Sequence, residues 1–287
     1  MSPSGEPSIA LRPMTLADIP AGLRLCRASG WNQIARDWEH FLTENPAGAR
    51  VLEKEGAVVG TVTTLRYGLF GWIAMVLVDP AERRQGFGSR LLSTGLDLLA
   101  DMPSVRLDAT PAGEPLYRAR GFAELERLAR MIAVAPQMEP GRSSPGLRPM
   151  TAGDLAPVAG WDAEAFGAGR RAMIEWLFRG APEYAWIAMR SGRIAGYTLG
   201  RHGFHFEQLG PIVAEDLEVA LELANACLSR HAGRRFAIDA PRHTPGWVQW
   251  LEGLGFQAQR PLTRMGRGAG PSGRPGRVLA IVGPEFG

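Results

Sequence analysis

The chain has 287 residues, 45% of them hydrophobic and 21% charged, with a net charge of +3. That is enough apolar material for two cored domains, which excludes a general disordered state. The charge excess is too small to argue for nucleic acid, although arginine carries nearly all of it (Lys54 is the only lysine), which suits a polyanionic small molecule.

The opening Met1-Ser-Pro-Ser-Gly-Glu-Pro has no basic-then-apolar leader pattern, and no apolar run reaches the roughly 18–20 residues of a membrane helix. The expectation is a cytoplasmic protein with no membrane or nucleic-acid partner. In the first half, Ile9 to Arg12 reads as a strand. Thr15, with Asp18 three residues on, reads as the cap of a helix over Ile19–Ala28. Trp38 to Thr43 reads as a second helix. Arg50–Glu53 and Ala57–Thr64 form a hairpin around Gly56, and Trp72–Val78 is a buried strand ended by Asp79-Pro80. A helix follows over Gly88–Leu99, with Leu91, Leu92, Leu96 and Leu99 on one face. Val105–Ala109 is a strand, Glu114–Arg120 a short helix closed by Gly121, and Ala129–Val134 a last strand.

Much of this order repeats. Leu11-Arg-Pro-Met-Thr15 recurs as Leu147–Thr151, 136 residues on, and Glu55–Gly60 matches Ser191–Gly196 at the same offset. Gly121-Phe122 with Arg130-Met131 matches Gly255-Phe256 with Arg264-Met265, 134 residues on. Three matches in one order indicate two homologous domains. The expected division is 1–138, a linker over 139–146 in a Pro/Gly/Ser-rich stretch, and 147–287. The fold class is α/β, each copy a mixed, mostly antiparallel sheet flanked by helices. Gly266–Gly276 reads as a flexible arm and Val278–Val282 as a closing strand.

The chemistry concentrates between Val76 and Leu92. A strand stops at Asp79-Pro80, the basic turn Arg83-Arg84-Gln85-Gly86-Phe87-Gly88-Ser89 follows, and a helix starts. Free N–H groups and the helix dipole favour an anion there, and the glycines let backbone approach it. The segment lacks the Gly-Lys-Ser/Thr end of a Walker loop and the third glycine of a dinucleotide fingerprint. Cys26 and Cys227 read as buried free thiols, and His202 and His205 lack the partner set of a metal site, so no metal is expected.

Arg83-x-x-Gly86-x-Gly88 after an apolar strand resembles motif A of the GCN5-related N-acetyltransferase (GNAT) superfamily. Leu107–Phe122, with Leu116-Tyr117 and Gly121-Phe122, is similar to that family's next strand and helix, and the tandem layout resembles a bacterial double-domain subgroup. The resemblance implies an acetyl-CoA-dependent N-acetyltransferase with no metal, acting on a small-molecule or peptide primary amine by direct attack. It implies that Val76, Leu77 and Val78 pair with the pantetheine arm, amides near Leu77–Val78 holding the thioester carbonyl. Arg83 through Ser89 would take the pyrophosphate. Thr110, where the family often has Asn, would be a further cofactor contact, and Tyr117 the general acid. Glu53, Asp79, Asp108 and Glu114 stand as alternative bases, beside water or a backbone carbonyl. Trp31, Asn32 and Trp38 are candidate acceptor contacts. The second copy has Leu251 where Tyr117 would be, and Glu215, Asp216, Glu218 and Glu222 where the turn would be, so it is expected not to hold coenzyme A. Glu285 or the terminal carboxylate is a candidate to reach the active site. The competing reading is a non-catalytic acyl-CoA sensor whose second domain binds a partner.

Overall fold

The structure is a computed structural model, which describes residues 8–135, 145–271 and 273–287. Most of the expected linker therefore lies outside the described residues, as do Met1–Pro7 and Ser272. In the first copy the elements are β1 (Ile9–Pro13), α1 (Ile19–Ala28), α2 (Ala35–Glu44), β2 (Ala49–Lys54), β3 (Ala57–Arg66), β4 (Gly71–Val78), α3 (Phe87–Leu98), β5 (Ser104–Ala109), α4 (Glu114–Arg118) and β6 (Ala123–Val134). The second copy has β7 (Leu147–Pro149), α5 (Leu155–Phe166), α6 (Arg171–Gly180), β8 (Trp186–Arg190), β9 (Arg193–Arg201), β10 (Glu207–Ala214), α7 (Leu217–Leu228), β11 (Arg235–Pro241), α8 (Pro245–Gly253), β12 (Gln257–Gly268) and β13 (Val278–Ala280).

The repeated words do local work. Arg12 pairs with Asp18 (2.8 Å), and the Asp18 carboxylate accepts from the Thr15 amide (2.8 Å). In the second copy Arg148 pairs with Asp154 (2.7 Å), which accepts from the Thr151 amide (2.8 Å). Each ties the end of a strand to the start of a helix. The Arg12 guanidinium holds the Asp18 carboxyl down to about 2. Gly60 and Gly196 mark where a helix crosses close over a strand. A Cβ at Gly60 would lie 2.8 Å from Leu91 of α3, and one at Gly196 would lie 2.7 Å from Val219 of α7.

The sheets differ from the expectation of one per copy. They join in a single 13-stranded sheet, in the order β1-β2-β3-β4-β5-β12-β6-β11-β10-β9-β8-β7, with β13 beside β10. The two final strands are exchanged. β12 of the second copy pairs antiparallel with β5 of the first, and β6 of the first pairs with β11 of the second. β6 and β12 also pair with each other across the seam, from Gln257↔Ile132 to Gly266↔Ala123. β6 accordingly begins six residues earlier than its apolar run suggested, because residues 123–127, with Glu124, Glu126 and Arg127 among them, are drawn into the ladder by β12. Gly266–Gly268, expected in a flexible arm, belong to β12, and the expected closing strand is shorter, ending at Ala280.

Each exchanged strand carries one arginine to the other copy. Arg264 of β12 binds Asp108 of β5 through two hydrogen bonds of 2.9 Å, and Arg130 of β6 binds Asp239 of β11 at 2.8 and 2.6 Å. All four groups are largely withdrawn from water. Beneath the sheet, one apolar cluster mixes residues of both copies: Trp38, Phe41 and Trp72 with Phe166, Leu177 and Phe286. Cys26 and Cys227 are buried free thiols, as expected. Among the described residues, no helix is long and apolar enough to cross a membrane.

Removing one partner of such a buried pair strands a charge, which costs about 3–5 kcal/mol. Arg264→Met should therefore lower the unfolding free energy in urea by about that much, and adding Asp108→Leu should recover most of the loss. Equal stability of the single variant and the parent would refute a structural role for the crossed pairs.

Candidate active site

β4 and β5 are parallel neighbours only at Gly71↔Val105 and Trp72↔Arg106, then part. The cleft opens where β4 carries a bulge. Its register against β3 slips between Thr61 and Thr63, Met75 has φ 51°, and the Thr61 hydroxyl donates to the Met75 carbonyl at 2.8 Å. Beyond the bulge Leu77 pairs with Thr61, and the Asp79 N–H donates to the Val59 carbonyl (2.8 Å), so these residues bond toward β3. By the alternation of an antiparallel ladder, Val76 and Val78 turn their backbone groups to the open side. This corrects the expectation for Leu77, whose amide faces β3. The Leu77 side chain is buried in the cluster on the opposite face, while Val76 and Val78 are half-buried against the same apolar cluster as Leu116 and Tyr117.

The turn after β4 is an anion cradle. Arg84 (φ 63°) and Gly86 (φ 81°) are left-handed, and α3 begins at Phe87. No backbone N–H from Arg84 to Ser89 has an acceptor among the described residues, and the cap of α3, Gly86, has no side chain to supply one. Arg83, Arg84 and Arg90 are exposed around it. Arg83 reaches back to the Val78 carbonyl (3.3 Å). The Gln85 amide is spent on Glu82 (2.8 Å), which also binds Lys54 (2.7 Å), so this residue braces the turn. Phe87 is buried under α3 as its anchor, and Gly88 lies in ordinary contact with Leu116. Ser89 hydrogen-bonds Arg120, which also donates to Ser93 at 2.6 Å. Arg120 thus adds a cation beside the cradle, one that sequence spacing did not indicate because it lies 31 residues from Ser89.

Tyr117 stands half-buried on α4, its ring edge-on to Phe122 at 6.1 Å. Its hydroxyl makes no hydrogen bond among the described residues. Burial pushes the phenol up to about 12, so it stays protonated at neutral pH. The Thr110 carbonyl starts α4 by accepting from the amides of Gly113 (2.9 Å) and Glu114 (3.0 Å).

The carboxylates considered as bases are all engaged. Glu53 pairs with Arg12 (2.8 Å), Asp79 with Arg24, Asp108 with Arg264 and Glu114 with Arg118. Hydrogen bonds from Arg24 and Arg118 lower Asp79 and Glu114, whereas burial raises Asp108. Two of the acceptor candidates, Trp38 and Asn32, also need correction. Trp38 is wholly buried in the shared core against Gly22. Asn32 is spent on the loop between β9 and β10: its side chain donates to the Phe206 carbonyl (2.9 Å) and accepts from the amides of His205 (2.8 Å) and Phe206 (3.0 Å). Trp31 is half-buried against the same core. Glu285 is buried against Arg201, which also holds Asp37 (2.9 Å), and the Gly287 carbonyl accepts from Arg170 (2.9 Å), so the chain's end is structural.

The second copy has the same cleft in outline, closed twice over. β10 and β11 pair only at Glu207↔Phe236 and Gln208↔Ala237, but β13 then fills the gap. It pairs with β10 at Ile212↔Ala280, and the Ile281 N–H donates to the Asp239 carbonyl at 3.1 Å. The start of α7 is capped from within, because the Asp216 side chain accepts from the Val219 amide at 2.9 Å. Arg190 neutralises Asp216 (2.8 Å) and Glu218 (3.0 Å). The residue in the place of Tyr117, Leu251, is fully buried.

Comparison with known proteins finds a match on each copy. Residues 23–122 match the model of the acetyltransferase (GNAT) family and residues 158–280 that of an acetyltransferase (GNAT) domain. The holothin acyltransferase of Pseudoalteromonas sp. (strain SANK 73390) is similar at 26% identity over 262 residues, 91% of this chain and 88% of that protein. An inferred acetyltransferase from Pyrococcus horikoshii superposes with a TM-score of 0.82 at 20% identity, over 97% of this chain and 96% of that one. A tandem GNAT protein from the clavulanic acid biosynthesis pathway does so with a TM-score of 0.65 at 17% identity, over 92% and 100%. The two family matches, one on each copy of a cleft built at the same place in the fold, make this chain a tandem member of the GNAT superfamily of acyltransferases.

Proposed function

We propose that the first copy transfers an acetyl group from acetyl-CoA to a primary amine of a small molecule or peptide by direct attack, and that the second copy binds no acyl-CoA. The observation that carries this reading is the contrast between two helix starts. At α3 the amides from Arg84 to Ser89 lack acceptors among the described residues, while at α7 the chain's own Asp216 occupies the equivalent place.

Acetyl-CoA supplies an activated acyl group on a thiol that leaves once protonated. The amides of Arg84–Ser89, with Arg83, Arg84, Arg90 and Arg120 around them, suit its pyrophosphate. The open edges of Val76 and Val78 suit a pantetheine amide, and the same amides can stabilise charge that develops on a carbonyl oxygen. The Tyr117 phenol is protonated at neutral pH and free of other partners, as a general acid toward a departing thiolate must be. The side chains considered as bases are held in ion pairs, so the acceptor's ammonium gives its proton to water or a backbone carbonyl, and the neutral amine then attacks. Among the site residues considered, Gln85 and Phe87 hold the turn in shape, and Thr110 acts through its carbonyl at the start of α4.

Two variants separate binding from chemistry. Tyr117→Phe should lower kcat about 100-fold with an amine acceptor while coenzyme A affinity stays within about twofold; unchanged turnover would remove Tyr117 from the reaction. Gly86→Asp places at α3 the cap that closes α7. It should weaken coenzyme A binding about 100-fold or more by calorimetry, and wild-type affinity would refute the cradle.

A further inference from the structure

A cavity of about 460 Å3, open to solvent on one side, lies between α2 of the first copy and α6 of the second. It is separate from the cleft. The C-terminal turn of α2 is tied by Asn45 to the Thr64 carbonyl (3.2 Å), and Thr64 pairs with Ile73, at the end where β4 and β5 are still joined. Phe286 lies between, in ring contact with both His40 and Trp176, and its carbonyl accepts from Tyr67 at 2.7 Å.

His40 lines the cavity and is only 4% exposed, yet neither of its ring nitrogens has a hydrogen-bond partner among the described residues. The ring is buried but its nitrogens are not sealed from the cavity, so a guest's hydroxyl there would take the place of water. Burial pushes the imidazole down to about 4, so at neutral pH it is neutral and offers one N–H and one bare nitrogen. Trp176 lies against it, ring centroids 4.5 Å apart. The other wall of Trp176 charge contacts is internal: Arg36 sits 4.3 Å over the indole and donates to the Trp176 carbonyl. Glu175 is likewise satisfied, by Arg171 (2.7 Å) and Arg179 (3.0 Å). Glu39 and Glu44 differ. Both line the opening, both are exposed, and neither has an ion pair or hydrogen bond among the described residues. The cavity therefore joins two carboxylates that make no ion pair or hydrogen bond among the described residues, Glu39 near enough to Arg36 to feel its charge, to a neutral imidazole that has no hydrogen-bond partner among them.

We propose that this cavity binds a small primary amine whose far end carries an uncharged hydroxyl, the ammonium meeting Glu39 and Glu44 and the hydroxyl meeting His40. An anion would meet the two carboxylates unfavourably, and a wholly apolar guest would leave His40 unserved. The assignment does not depend on the acyl-transfer reading.

Tyramine is the probe, with phenethylamine as its counterpart lacking the hydroxyl, titrated calorimetrically into the full chain with and without saturating coenzyme A. Saturable binding of one tyramine per chain is expected, unchanged by coenzyme A. Glu39→Gln combined with Glu44→Gln, both on the surface, should weaken it about tenfold or more. Phenethylamine should bind several-fold more weakly than tyramine, and His40→Phe, which keeps a ring against Trp176 and Phe286, should erase that difference. Absence of saturable tyramine binding, or binding that the double glutamine variant leaves unchanged, overturns the proposal. So does binding that Tyr117→Phe abolishes, since that amine would then be sitting in the cleft.

Discussion

The structure depends on the antiparallel pairing of β6 with β12, the last strand of each copy, each delivered into the other copy's sheet. That pairing gives β5 and β11 a strand of the other copy on the side away from β4 and β10, so neither sheet is complete alone. The crossed ion pairs Arg264–Asp108 and Arg130–Asp239 sit at these junctions, where an unpaired arginine or aspartate would be a buried charge. Such pairs add little net stability over apolar residues. What they do is penalise any arrangement in which the strands are not exchanged and the four charges not matched.

On that shared frame the two copies have parted by local chemistry alone. The cleft between two diverging parallel strands exposes backbone groups that must be satisfied by something. In the first copy the edge at Val76 and Val78 and the amides at Arg84–Ser89 are left open. In the second, β13 supplies the strand and Asp216 the anion. The plug also serves the first copy. Past β13 the chain runs beneath β4, where Trp72 donates to the Pro284 carbonyl (3.2 Å), so the segment that closes one cleft braces the floor of the other.

Features that depend on neighbours in sequence were legible before the structure. The capped helix starts at Thr15 and Thr151, the glycine turn and the position of Tyr117 all follow from short-range spacing. So did the different chemistry of the second copy, which has no Gly-x-Gly and carries Glu215, Asp216, Glu218 and Glu222 where the turn would be and Leu251 where Tyr117 would be. The strand exchange was not legible, since β6 and β12 have the same pattern whichever copy they close. Nor were the fates of Trp38 and Asn32. An aromatic or amide on a helix or loop reads alike whether it faces a ligand or another part of the chain, and here core and loop contacts more than 170 residues away took Asn32. The bulge that decides between Leu77 and Val78 rests on one left-handed residue, Met75, that no side-chain preference announces.

Hydrogen exchange with and without acetyl-CoA tests most directly whether one cleft is open and the other sealed. The account predicts added protection at amides 76–78 and 84–89 and no change across 210–220 or 278–282. Protection appearing in the second copy, or none in the first, would contradict it.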